Sequence, residues 1–144
     1  MTELAKKRPE FRNINFVKDL PSYRLPVAGI VSILHRVSGV LMFLLLPFII
    51  WLFDTSLSSE ISFARSRSAF NNGLWIFPGL LIKLVALALI WAYLHHLFAG
   101  LRHLWMDVSH AAVSKESGAR SARVVLVASL LLTVVLGAKL FGLY

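Results

Sequence analysis

Three apolar runs decide which solvent this chain can fold in. Residues 124–144 contain one charged side chain, Lys139, close to the end of the run. Residues 27–53 carry His35 and Arg36 near their start and no charge from 37 to 53. Residues 74–106 have Lys83 near one end and Arg102 near the other. A helix needs about 20 apolar residues to cross the hydrocarbon of a bilayer, and each run is long enough. Lipid offers no hydrogen bonds to the backbone, so each run must satisfy its own polar groups as a helix. The expected fold is an all-α membrane protein with three transmembrane helices. Pro47 is expected to kink the first helix, and Lys83 and Lys139 lie close enough to the ends of their runs to snorkel.

Composition agrees with this reading. The chain is 58% hydrophobic and 15% charged, whereas a soluble domain carries roughly 25% charged residues. Its net charge of +8 does not indicate nucleic acid, because the basic residues flank the apolar runs instead of covering a polar globular face. With no cysteine, disulfides, thiolate metal ligands and covalent c-type haem attachment are excluded.

Around the three helices the sequence divides into an N-terminal segment (1–26), a polar loop (54–73) and a second loop (107–123). The first of these lacks the apolar region of a secretory signal. It also mixes acidic with basic residues, unlike a transit peptide. We read it as partly an interfacial helix. The orientation rule counts Lys and Arg alone. Lys6, Lys7, Arg8, Arg12, Lys18, Arg24 and Arg36 lie at the N-terminal side. Arg65 and Arg67 lie in the first loop, and Lys115, Arg120 and Arg123 in the second, next to Arg102. The N-terminus and second loop are therefore expected at the cytoplasmic face of a bacterial inner membrane, with the first loop outside. His35, Arg36, Arg102 and His103 then gather near that face, at the ends of two antiparallel helices.

The chemistry is concentrated in residues 91–107, which hold three of the five histidines within an otherwise apolar context. Ionisable groups inside a spanning helix are costly and point to function. His96 and His103 are separated by nearly two turns and share a face, with Gly100 between them. An imidazole can hold a metal, and a glycine beside it leaves room for a flat ligand, so a haem site is the first candidate. An interhelical hydrogen bond is the alternative for His96. His95 points about 100° away and reads as a packing or interfacial residue. Trp75, Trp91, Tyr93 and Trp105 read as packing or an interface belt. One helix cannot clamp an iron from both sides, so a second axial imidazole would come from another helix or another subunit.

On the first helix, Ser32 and Arg36 stand at i and i+4 and face the same way. Together they could donate hydrogen bonds to a quinone carbonyl, whose oxygens gain negative charge on reduction. The simpler readings are that Arg36 anchors the helix end and that Ser32 bonds its own i−4 carbonyl. His35 and His103, beside Arg36 and Arg102, could hold haem propionates.

Two segments carry a family resemblance. Ser32-Ile-Leu-His35-Arg36-Val-Ser38-Gly39 resembles the Ser-x-x-His-Arg-x-Ser/Thr-Gly signature of the cytochrome b subunit of succinate dehydrogenase (respiratory complex II). His96-x-x-x-Gly100-Leu-Arg102-His103-Leu-x-Met106-Asp107 resembles the second signature of that family, and Arg8-Pro9 resembles its start. The chain departs from the family pattern in a longer, more charged stretch before Tyr23-Arg24 and in Ser109, where glycine is common. The resemblance implies that His96 is an axial ligand of haem b shared with a partner anchor subunit. It implies ubiquinone-site roles for Ser32 and Arg36, and places His35 and His103, with Arg102 and Gly100 beside them, near the haem. It further implies an iron–sulfur subunit and a flavoprotein subunit as partners, with succinate oxidised elsewhere in the complex. A fumarate reductase anchor running in the opposite direction, a haem-free structural anchor, and a small transporter or channel are the alternatives.

Overall fold

The computed structural model describes residues 15–19 and 22–144. The Arg8-Pro9 pair and the basic residues before position 15 lie outside the described residues. A single helical turn, α1 (Phe16–Asp19), is closed by Asn15, whose side chain accepts from the backbone N–H groups of Val17 and Lys18. After Pro26, α2 (Val27–Leu44) begins the first long helix. Leu45 interrupts it, and α3 (Leu46–Leu57) resumes at once. The cause is Pro47, which has no N–H to donate and whose ring crowds the carbonyl of Phe43 four residues back. The kink expected at Pro47 is thus a break two residues earlier.

Residues 54–73 differ from the polar loop expected there. They hold the end of α3 and a further helix, α4 (Glu60–Asn72). Ser59 and Ser62 start α4 by capping each other: each hydroxyl accepts from the other's backbone N–H, at 3.1 and 2.9 Å. This is a capping box with serine in the position usually held by Glu or Gln. Gly73 then ends the helix at φ +100°, and a Cβ at that position would lie 2.5 Å from the Phe77 carbonyl oxygen. A tight turn follows, Leu74 and Phe77 exchanging backbone hydrogen bonds at 2.9 Å. Trp75 stands 99% exposed at its tip with φ 54°.

The second long helix, α5 (Gly79–Val108), begins later than residue 74 because of this turn. A short 3₁₀ segment (His110–Val113) leads into α6 (Lys115–Leu140), whose N-cap Ser114 accepts from the Ser117 N–H. The expected loop 107–123 is therefore mostly helix, and the true connection is only the stretch between α5 and α6. Its serines, lysine and arginines read as loop, yet they are the polar first turns of a long helix. Among the described residues three helices, α2, α5 and α6, are long and apolar enough to cross a membrane.

Packing pairs α5 with both neighbours. His96 meets Ser38 and His35 on α2, while Arg102 meets Ser121 and His95 meets Ser129 on α6. As the number on α5 falls, the number on α6 rises, so the two run antiparallel. The core is built from small side chains: Ala92, Ala99 and Ala122 are fully buried, with Val31 and Val125. In lipid, helices associate through close backbone approach more than through hydrophobic exclusion, and small residues allow that approach. Large apolar side chains such as Phe43, Phe53 and Leu131 point outward, the arrangement lipid or a partner helix requires.

Candidate functional site

The helix register brings His35, His96 and His103 into one column where α2 crosses α5. The ring of His35 stacks on that of His96, centroids 4.1 Å apart and planes at 25°. On its other side it lies 5.3 Å from His103. The predicted gathering of these imidazoles from two antiparallel helices is what the structure shows.

His96 is held in one orientation. Its Nδ1 lies 3.1 Å from the backbone carbonyl oxygen of His35 and 3.3 Å from Ser38 Oγ. A carbonyl oxygen can only accept, so Nδ1 carries the proton. Ser38 Oγ donates to the same carbonyl at 2.8 Å and is fully buried. With Nδ1 protonated, the lone pair of the ring is on Nε2, which makes no hydrogen bond among the described residues. Fixing one ring nitrogen to a carbonyl is how proteins aim the other at a metal. Gly39 secures the clearance, because a Cβ there would stand 3.1 Å from His96 Cε1. Ser38 and Gly39 thus act on a residue of another helix, a role their place in the α2 motif did not disclose.

Gly100 lies against His35, whose Nε2 would stand 3.8 Å from a Cβ at Gly100, an ordinary contact distance. That Nε2 is buried and has no hydrogen-bond partner among the described residues. Arg102 is separated from the other candidates. It lies on the α6 side of α5, 7% exposed, with Nε donating to Ser121 Oγ at 3.0 Å and Nη2 to the Gly118 carbonyl oxygen at 3.2 Å. It joins α5 to α6 and does not stand beside His35 and His103. One position on a helix turns a side chain by about 100°, which moves Arg102 off the face that His103 occupies.

Ser32 and Arg36 lie on one side of α2, partly exposed and exposed respectively. Neither side chain makes a hydrogen bond among the described residues, so the i−4 bond considered for Ser32 is not formed, and both groups can donate outward. His95, one position before His96, is fully buried. Its Nδ1 lies 3.3 Å from Ser129 Oγ on α6, and its ring stacks on Trp91 at 5.5 Å. The packing role expected for His95 is the one it has. Among the described residues no three His, Cys, Asp or Glu side chains form a ligand set for a bare metal ion.

A column of imidazoles between two of three helices long and apolar enough to cross a membrane defines the class: a helical transmembrane protein. Residues 6–136 match the family described as succinate dehydrogenase/fumarate reductase transmembrane subunit. The chain is 35% identical over 119 residues to the succinate dehydrogenase cytochrome b556 subunit of Coxiella burnetii, covering 83% of this chain and 90% of that one. It is 30% identical over 115 residues to the same-named subunit of Paracoccus denitrificans, covering 80% and 82%. With that of Rickettsia felis it shares 29% identity over 134 residues, covering 93% and 94%. The chain belongs to the succinate dehydrogenase/fumarate reductase transmembrane subunit family. It is a multi-pass membrane subunit of an oxidoreductase complex.

Proposed function

We propose that the chain is the cytochrome b membrane anchor of a succinate:ubiquinone oxidoreductase, holding half of a haem b site and part of the quinone site. The observation that carries this is His96: Nδ1–H engaged by the His35 carbonyl and Nε2 left bare on an outward face. Haem b, when bound, would supply a one-electron redox centre between an iron–sulfur partner and the quinone. The chain's own part is to fix the His96 ring, so that axial ligation needs no reorientation. A second hydrophobic anchor subunit would supply the other imidazole, since among the described residues the ring that faces His96 is His35, stacked on it at 4.1 Å. His103 provides an N–H donor for the propionates, and His35, whose own Nε2 is enclosed by the chain, packs beside it at 5.3 Å. The basic N-terminal segment and the α5–α6 connection lie at the cytoplasmic face, where iron–sulfur and flavoprotein subunits dock.

Ser32 and Arg36 bind the quinone carbonyl from the same side of α2. The guanidinium stays protonated at any physiological pH, so it stabilises the charge that builds on the carbonyl oxygen as electrons arrive. The protons that complete the quinol come from the aqueous side of the headgroup layer.

The test is a dithionite-reduced minus oxidised spectrum of the purified complex from wild type and His96→Ala. Loss of the b-type bands in the variant, with all subunits still present, supports axial ligation. Bands unchanged by the substitution would exclude His96. A complex that contains no haem as isolated would leave the family assignment intact and remove the cytochrome role.

A further inference from the structure

Arg102 is a charge in a spanning helix with no acid beside it. Its two hydrogen-bond partners, Ser121 Oγ and the Gly118 carbonyl, are neutral, and no carboxylate pairs with it among the described residues. A guanidinium has five N–H donors, and these contacts leave most of them unused. Next to it, between α5 and α6, lies a cavity of about 480 Å³. One end is lined by Arg102, Trp105, Arg120 and Ser121, the rest by Phe98, Leu101, Val124 and Ala128.

The two ends lie at different depths. Ser121 and Gly118 sit within the first two turns of α6, beside its polar start at Lys115. Ala128 is about 10 Å further along the helix, at ~1.5 Å per residue. The groove is therefore cationic where the helices meet the headgroup layer and apolar where they enter the hydrocarbon, the same polarity as a lipid molecule. Lys115 and Arg123 line an adjoining depression with Arg120, and Glu116 is the one acid there.

We propose that this groove binds an anionic phospholipid, its phosphate between Arg102 and Arg120 and one acyl chain along Leu101, Phe98 and Ala128. Free phosphate would leave the apolar wall uncovered. A zwitterionic lipid would add its own cation to a site already in positive excess. Basic pockets between helices at the cytoplasmic side are suited to such headgroups. The inference uses a face of α5 turned away from His96 and stands whether or not haem is bound.

The test is native mass spectrometry of the purified complex, released from nanodiscs of equal phosphatidylglycerol and phosphatidylethanolamine. Wild type should retain phosphatidylglycerol in preference, and Arg120→Gln should lower that retention about fivefold, the loss of one cation near anionic lipid. Arg102→Gln should lower it further; because that variant also loses bonds to α6, the exposed Arg120 carries the decision. Equal retention of the two lipids, or phosphatidylglycerol retention unchanged in Arg120→Gln, overturns the proposal. So does displacement of the lipid by millimolar inorganic phosphate, which would indicate a simple anion site. A photo-crosslinker at Ala128 gives the remaining discrimination: a lipid adduct supports the site, and a protein adduct assigns the groove to a partner helix.

Discussion

His95 and His96 are neighbours in sequence with opposite situations, and the contrast explains how this subunit is built. His95 faces α6, is fully enclosed by its own chain, and is held by Ser129 and Trp91. His96 faces α2, is held by one nitrogen to the His35 carbonyl, and is only partly covered. The same imidazole is enclosed on one side of α5 and reaches the open on the other. What separates them is one residue's rotation about the helix axis, roughly 100°, and the presence or absence of a helix to close that side. In this chain the two histidines are told apart by which helix covers them.

The contrast predicts unequal effects of substitution. His96→Ala should abolish the b-type difference spectrum, whereas His95→Phe should retain it and lower only thermal stability; equal haem loss in both would break the comparison. Next in size is Arg36→Lys, which exchanges a planar fork for a point charge. Quinone reduction should fall about tenfold, in keeping with the loss of a well-aimed charged donor, with subunit content unchanged. Undiminished turnover would remove Arg36 from the quinone site.

Gly39→Ala tests the clearance around His96. The added Cβ would stand 3.1 Å from Cε1, so the ring must move by a few tenths of an ångström. Haem should still bind, with a shifted midpoint potential and altered low-spin g-values. Identical spectra would mean that α2 yields instead of the ring. Smallest is Ser129→Ala, which removes the α6 partner of His95. Stability should drop by about 1 kcal/mol, the usual size of an interhelical hydrogen bond in lipid, with no change in haem absorbance. A haem shift in Ser129→Ala would show that the two faces of α5 are coupled after all.

Much of the architecture could be read from residue order. The apolar runs located all three spanning helices, since in lipid the only way to satisfy a lone segment's backbone is within that segment. Helical spacing put His96 and His103 on one face, and antiparallel order brought His35 to them. The errors fell where polar residues have a helical use that composition hides. Ser59 and Ser62 look like loop residues and are a capping box; Lys115–Arg123 look like a connection and are the first turns of α6. Arg102 was grouped with His103 by adjacency, although adjacent residues on a helix point in different directions.

The sequence by itself determined that the chain is a three-span membrane helix protein, that its imidazoles lie toward one end, and which motifs they occupy. Each of these follows from local rules: hydrocarbon thickness, backbone satisfaction and the 3.6-residue turn. Only the tertiary structure decided that His96 is held through Nδ1 by the His35 carbonyl, that His95 and Arg102 belong to the α6 contact, and that Ser38 and Gly39 shape the His96 site. Those assignments depend on which helix covers which face, and helix rotation in lipid is set by close packing of small residues across the interfaces, a property of pairs of segments that no single segment contains.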